Sequence, residues 1–234
     1  MSLYQLERDG DVQEIIRVLR ESDNPEIRKR AADMLGGFAD HDDRRDAVSA
    51  LVRAAETEDE DAVTAAAIDS LEDLGGDAIE QLIASMAGID FEEGADWVKA
   101  KAFTRALGSD VPELRMAAAN GLGQFGESDA LSSLVETFAD DDRRVRARAA
   151  RAAGSIGDPR ACTDLEDLLE DRSPAVRREA AEALGQIGNR QALQALLEMY
   201  DDSDERVRRI AVGAFGNFDN GQPVEPLVDA LDDD

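Results

Sequence analysis

Residues 140–188 read DDDRRVRARAARAAGSIGDPRACTDLEDLLEDRSPAVRREAAEALGQIG. Within this stretch, Val145-Arg146-x-x-Ala149-Ala150-x-Ala152-x-Gly154-x-Ile156-Gly157 returns 31 residues later. The second copy is Val176-Arg177-x-x-Ala180-Ala181-x-Ala183-Leu184-Gly185-x-Ile187-Gly188. The same frame reaches back to Leu114-Arg115 through Gly126 and forward to Val207-Arg208 through Gly216. A fixed period of about 20–50 residues marks stacked supersecondary units, each too small to bury its apolar face alone.

Outward from this core the pattern is one of helix pairs. Val12, Ile15, Ile16 and Leu19 fall on one helical face, and Asn24-Pro25 then caps a second helix carrying Ile27, Ala31, Met34 and Leu35. Val48, Leu51 and Val52 pair in the same way with Val63, Ala67, Ile68 and Leu71, although Thr64 stands where the pattern has arginine. Residues 88–108 are irregular, reading as an insertion or a worn repeat, and they hold Phe91 and the only tryptophan, Trp97. From 109 to 234 the 31-residue repeat is regular, with second helices starting at Pro112, Arg143, Pro174 and Glu205. Asp158-Pro159 and Ser173-Pro174 are cap signals. Val224, Leu227, Val228 and Leu231 predict a terminal first-type helix. The expected organisation is one repeat domain over 1–234. Gly123, Gly154, Gly185 and Gly216 recur at one place in the frame, which implies close helix approach or a helix end there.

Fifty-three acids against 26 bases give a formal charge of −27, and only Lys29, Lys99 and Lys101 are lysines. The acids are interleaved with apolar periodicity, so they describe a self-repelling folded surface rather than a disordered chain. The Asp-rich, Lys-poor balance resembles the cytoplasmic proteins of salt-accumulating haloarchaea. No leader-like segment or apolar run near 18 residues is present, and a single cysteine, Cys162, suits a reducing interior. The expected compartment is the cytoplasm.

The motif D-x-x-x-x-V-R-x-x-A-A-x-A-L-G-x-I-G resembles HEAT-like repeats of the phycobilisome-lyase type over nearly the whole chain. The resemblance implies an all-α, right-handed α-solenoid of about six helix pairs plus a terminal helix. It also implies a structural ladder of ion pairs between the arginine after each anchor and an acid of the preceding turn. The matching arginines are Arg28, Arg115, Arg146, Arg177 and Arg208, with Asp23, Asp110, Asp141 and Asp204 as turn acids. In such arrays the second helices line the concave side. That points to a ridge for a protein or peptide partner at Asn120, Gln124, Arg148, Arg151, Glu179, Glu182, Gln186 and Asn217, assisted by Trp97 and Phe91.

The residues carry little chemistry. His41 stands alone among Asp40, Asp42 and Asp43, too few N or S donors for a transition metal. Cys162 aligns with the core positions Leu131 and Leu193 and has no histidine partner nearby in sequence. The acid runs lack a calcium-loop pattern. No His-Glu pair exists for a metal hydroxylase of the repeat family. No metal or cofactor is expected. The leading expectation is a non-catalytic protein-binding scaffold. The alternatives are nucleic-acid binding through Arg143, Arg144, Arg146, Arg148 and Arg151, and a bilin-lyase-like handling of a ligand that the scarce aromatics disfavour.

Overall fold

The helix starts at Pro25, Arg143 and Pro159 each follow a residue whose side chain caps them. In the computed structural model, which describes residues 3–89, 91, 96–126 and 128–214, every regular element is helical among those residues. Asn24 accepts the Glu26 N–H at 3.0 Å and Pro25 opens its helix; Asp142 accepts the Arg144 N–H at 2.7 Å; Asp158 accepts the Arg160 N–H at 2.9 Å ahead of Pro159. Gly157 and Gly188, at φ of 71° and 63°, end their helices in the left-handed region that a side chain would strain. Ser173 departs from the expected cap. Its buried hydroxyl has no hydrogen-bond partner, and the helix start rests on Pro174 and on the Ser173 carbonyl, which accepts from Val176 and Arg177.

The chain forms two compact units, Met1–Ala117 and Ala118–Asp234. In the first, α1 (Leu3–Asp9) precedes the pairs α2 (Val12–Glu21) with α3 (Pro25–Leu35) and α4 (Arg44–Thr57) with α5 (Asp61–Leu74). First-type α2 and α4 pack together, as do second-type α3 and α5. Ile15, Leu35, Leu51, Ile68 and Leu71 are fully buried between them. The anchor Ile27 is 38 % exposed, whereas its equivalent Val63 is at 0 %. α6 (Gly76–Ala87) stacks on α4, and the irregular segment contributes α7 (Asp96–Ala106), which packs on α6 and buries Phe103.

The boundary between the units falls within α8 (Pro112–Phe125). In the second unit α9 (Leu131–Glu136), α10 (Arg143–Ile156), α11 (Cys162–Leu168), α12 (Pro174–Ile187), α13 (Arg190–Leu197) and α14 (Glu205–Ala214) alternate between the two helix types. α10, α12 and α14 lie side by side with α11 and α13 packed against them. The alanines of the motif make this approach possible: Ala149, Ala150, Ala180 and Ala181 are all at 0 % exposure. At Gly123 an added Cβ would sit 2.8 Å from the Ala152 Cα, and at Gly154 it would sit 2.6 Å from the Ala183 Cα. These glycines therefore serve backbone approach within a continuing helix. Gly216 and the expected terminal helix at Val224–Leu231 lie outside the described residues. Among the described residues no helix is long and apolar enough to cross a membrane.

Candidate interaction surface

The arginine ladder holds the turns, but in a different register from the one expected. The Arg146 Nη1 donates to the Asp140 carbonyl at 2.8 Å, six residues back, while its Nε and Nη2 donate to the two oxygens of Asp171 at 2.8 and 3.0 Å. Arg177 repeats this, with the Asp171 carbonyl at 2.9 Å and the Asp202 carboxylate at 2.8 and 2.9 Å. Arg208 donates to the Asp202 carbonyl at 2.7 Å and Arg115 to the Ser109 carbonyl at 2.8 Å. In the first unit Arg28 takes the Ser22 carbonyl at 2.8 Å and Glu58 at 2.9 and 2.8 Å.

The carboxylates that take Arg28 and Arg146 are thus one repeat further on than Asp23 and Asp141. The cause is steric: in its own turn each arginine meets a backbone carbonyl, and its remaining donors project toward the next turn. Asp204 instead caps α14 by accepting the Arg206 N–H at 2.9 Å. Asp171 and Asp202 also accept the N–H two residues on, at 2.7 Å each. For Asp171, burial works to raise the carboxyl, but Arg146 and the Ser173 N–H outweigh it and hold it below the ordinary value. The Arg177 and Arg28 guanidinium groups depress Asp202 and Glu58 likewise. A spacing signal for these acids exists: Asp140, Asp171 and Asp202 lie 31 apart, each six residues before an arginine of the frame.

The ridge positions of the second unit lie on the outward faces of α8, α10 and α12. Gln124, Arg151, Ser155, Glu182 and Gln186 are exposed, and Asn120 and Arg148 half-buried. Glu179 is 5 % exposed, so it is no surface contact: Arg151 reaches from α10 to α12 and donates to both its oxygens at 2.9 Å. The Glu179 side chain points into the seam between α10 and α12. Asn217 lies outside the described residues. Trp97, 66 % exposed on α7, belongs to the first unit, where Phe91 stacks on Phe103 at 6.5 Å and Lys99 bridges the Phe91 face and Glu80.

The expected arginine cluster is largely spent on its own protein. Arg144 pairs with Asp142, Arg146 with Asp171 and Arg151 with Glu179. Arg143 and Arg148 have no ion pair among the described residues. Cys162 is fully buried; burial pushes its thiol up, while the Asn189 amide donates to the Sγ at 3.2 Å. His41 builds its loop, accepting the Asp43 N–H through Nδ1 at 3.1 Å and meeting Phe38 edge-on. Among the described residues no group of three or more His, Cys, Asp or Glu side chains could hold a metal ion.

Stacked helix pairs with a repeated seam define an all-α repeat solenoid. A family model for HEAT repeats matches residues 12–93, 100–172 and 167–234, and the chain belongs to the HEAT repeat family. It is 42 % identical over 138 residues to a HEAT repeat-containing taxis protein of Halobacterium salinarum. That match covers 58 % of this chain and 32 % of the relative, so the chain spans about a third of the relative's length. Among solved structures it is similar to a designed armadillo repeat protein in complex with the peptide (KR)4, at a TM-score of 0.56 and 20 % identity over 88 % of this chain and 98 % of that one. It is also similar to the complex of CpcE and CpcF of phycocyanin lyase from Nostoc sp. PCC7120, at 0.53 and 20 % over 92 % and 79 %. At these identities the structural likeness is one of fold.

Proposed function

We propose that the protein is a non-catalytic interaction scaffold whose second helices present a ridge to another protein, within a taxis system. The observation that carries this reading is the exposed polar stripe Gln124, Arg151, Ser155, Glu182 and Gln186 on neighbouring second helices, whose turns are locked by the ladder. A rigid row of amide, hydroxyl and charged groups suits a peptide or helix, which brings its own donors and acceptors. The taxis context rests on the Halobacterium relative. The armadillo neighbour, whose complex contains a peptide, supports a polypeptide as the class of partner. The absence of catalysis is part of the proposal: the sole thiol is buried with a raised pKa, the opposite of an activated cysteine.

The test is an affinity capture from native extract with the intact protein beside a Gln124→Ala/Glu182→Ala/Gln186→Ala variant, read by mass spectrometry. A taxis component held by the intact protein and lost by the variant is the expected result. Equal retention of every partner by both proteins sinks the ridge reading.

A further inference from the structure

The outward face of the second helices in the Ala118–Asp234 unit has the opposite charge to the rest of the protein. α10 carries five arginines and no acid in 14 residues. Outside the ladder, α10, α12 and α14 together hold seven arginines (Arg143, Arg144, Arg148, Arg151, Arg178, Arg206, Arg209) against three glutamates (Glu179, Glu182, Glu205). The whole chain has 53 acids to 26 bases. A sign reversal this local is not what a uniformly self-repelling solvent surface requires.

Two of the seven are used internally, Arg144 on its cap acid Asp142 and Arg151 on buried Glu179. Arg178 reaches Glu179 only at 3.7 Å, after Arg151 has taken both its oxygens. Among the described residues Arg148, Arg206 and Arg209 have no ion pair; Arg206 and Arg209 are exposed and Arg148 half-exposed. Arg206 stands one place before its anchor valine, Arg178 and Arg209 two places after theirs and Arg148 three after its own, positions that share one flank of a 3.6-residue helix. The Arg151–Glu179 pair shows directly that the faces of α10 and α12 meet.

We infer that this face is a docking site for an acidic polypeptide segment, with Arg148, Arg178, Arg206 and Arg209 as its carboxylate-binding groups. The inference rests on the interaction reading above and specifies the partner's chemistry. Guanidinium forks match carboxylates in a two-point geometry. Glu182 and Gln186 sit in the same stripe: the amide can bond a peptide backbone, whereas the carboxylate would repel a regularly spaced phosphate chain. No aromatic side chain stands among the outward residues of α10, α12 and α14 to stack a base, which favours polypeptide over nucleic acid. Distant acids of the −27 chain do not cancel the site at about 0.15 M salt, where the screening length is about 8 Å.

The test is fluorescence anisotropy of the full chain with a short labelled peptide of alternating Glu and Asp, at about 0.15 M and about 1 M salt. An alternating Lys-Arg peptide and a single-stranded oligonucleotide run alongside. The acidic peptide should bind at the lower salt and weaken at the higher. Arg148→Glu/Arg206→Glu/Arg209→Glu should weaken it by about tenfold or more, since each reversal replaces an exposed attraction with a repulsion. Arg→Gln at the same three positions keeps side-chain bulk, guards against a misfolded reversal variant, and should weaken binding by about threefold. Arg20→Glu/Arg30→Glu/Arg53→Glu in the other unit makes the same change in net charge and should leave affinity unaltered. No binding of the acidic peptide, equal weakening by both reversals, or tighter binding of the oligonucleotide overturns the inference. If the peptide fails while the Gln124/Glu182/Gln186 variant still loses its partners, only the charge assignment falls and the scaffold reading stands.

Discussion

Arg146 closes a two-point ion pair on Asp171 of the following turn, while the Asp171 carbonyl takes Arg177 at 2.9 Å. One residue therefore links three consecutive segments: its side chain faces the previous repeat, its backbone faces its own. Both members of the pair are about nine-tenths buried, at 7 % and 11 % side-chain exposure. Removing one partner leaves the other desolvated. Arg146→Ala should cost about 3 kcal/mol, the lower end for breaking a buried pair. Urea unfolding at constant slope measures it. A loss below about 0.5 kcal/mol would mean the ladder is ornamental to stability.

The ladder also predicts a pH dependence with a definite sign. Asp171 and Asp202 titrate below their ordinary value when folded, so their contribution is present above about pH 4 and is lost as pH falls through the folded value. Protonation also relieves the self-repulsion of a −27 chain, which pushes the total the other way. The difference between proteins isolates the first effect. The stability gap between wild type and Arg177→Met should be large at neutral pH and shrink below about pH 4. A gap that is constant across that window would assign the cost to lost packing of the arginine stem.

The repeat glycines and the free helix-face glycine should respond oppositely to the same substitution. Gly154→Ala puts a Cβ 2.6 Å from the Ala183 Cα, a backbone atom that cannot rotate away. Spreading α10 from α12 should cost about 1–3 kcal/mol despite the propensity gain. Gly213 in α14 has nothing within 4 Å of an added Cβ, so Gly213→Ala should stabilise by up to about 1 kcal/mol. Thermal melts of the two variants decide this; a common sign would contradict the packing argument.

Repeat phase was legible because several local signals agree at each start. Pro112, Pro174 and the cap acids before Arg143 and Glu205 coincide with the Val-Arg-x-x-Ala-Ala frame, and the second helices begin at those residues. Which carboxylate faces which arginine was not legible. Asp140, Asp141 and Asp142 stand in one turn, and their roles differ by a rotation that one-dimensional spacing does not encode: one accepts the N–H two residues on, one caps α10. Glu179 fails for a related reason. Helical phase alone puts it on an outward face, but the neighbouring helix supplies Arg151 and closes over it.

Ser173 tests how far a cap signal can be separated from cap chemistry. Asp142 and Asp204 accept the second N–H of their helices at 2.7 and 2.9 Å, whereas the Ser173 hydroxyl bonds nothing. Helix α12 starts at Pro174 without it, the Val176 and Arg177 N–H groups meeting the Ser173 carbonyl. Ser173→Ala removes an unsatisfied buried hydroxyl and should be neutral or mildly stabilising, within about 0.5 kcal/mol. Asp204→Ala removes a made cap and should cost about 1 kcal/mol. Hydrogen exchange at the first turns of α12 and α14 gives the local reading: protection should fall in α14 for Asp204→Ala and stay unchanged in α12 for Ser173→Ala. A loss of protection in α12 would show that the Ser173 hydroxyl caps the helix in solution after all.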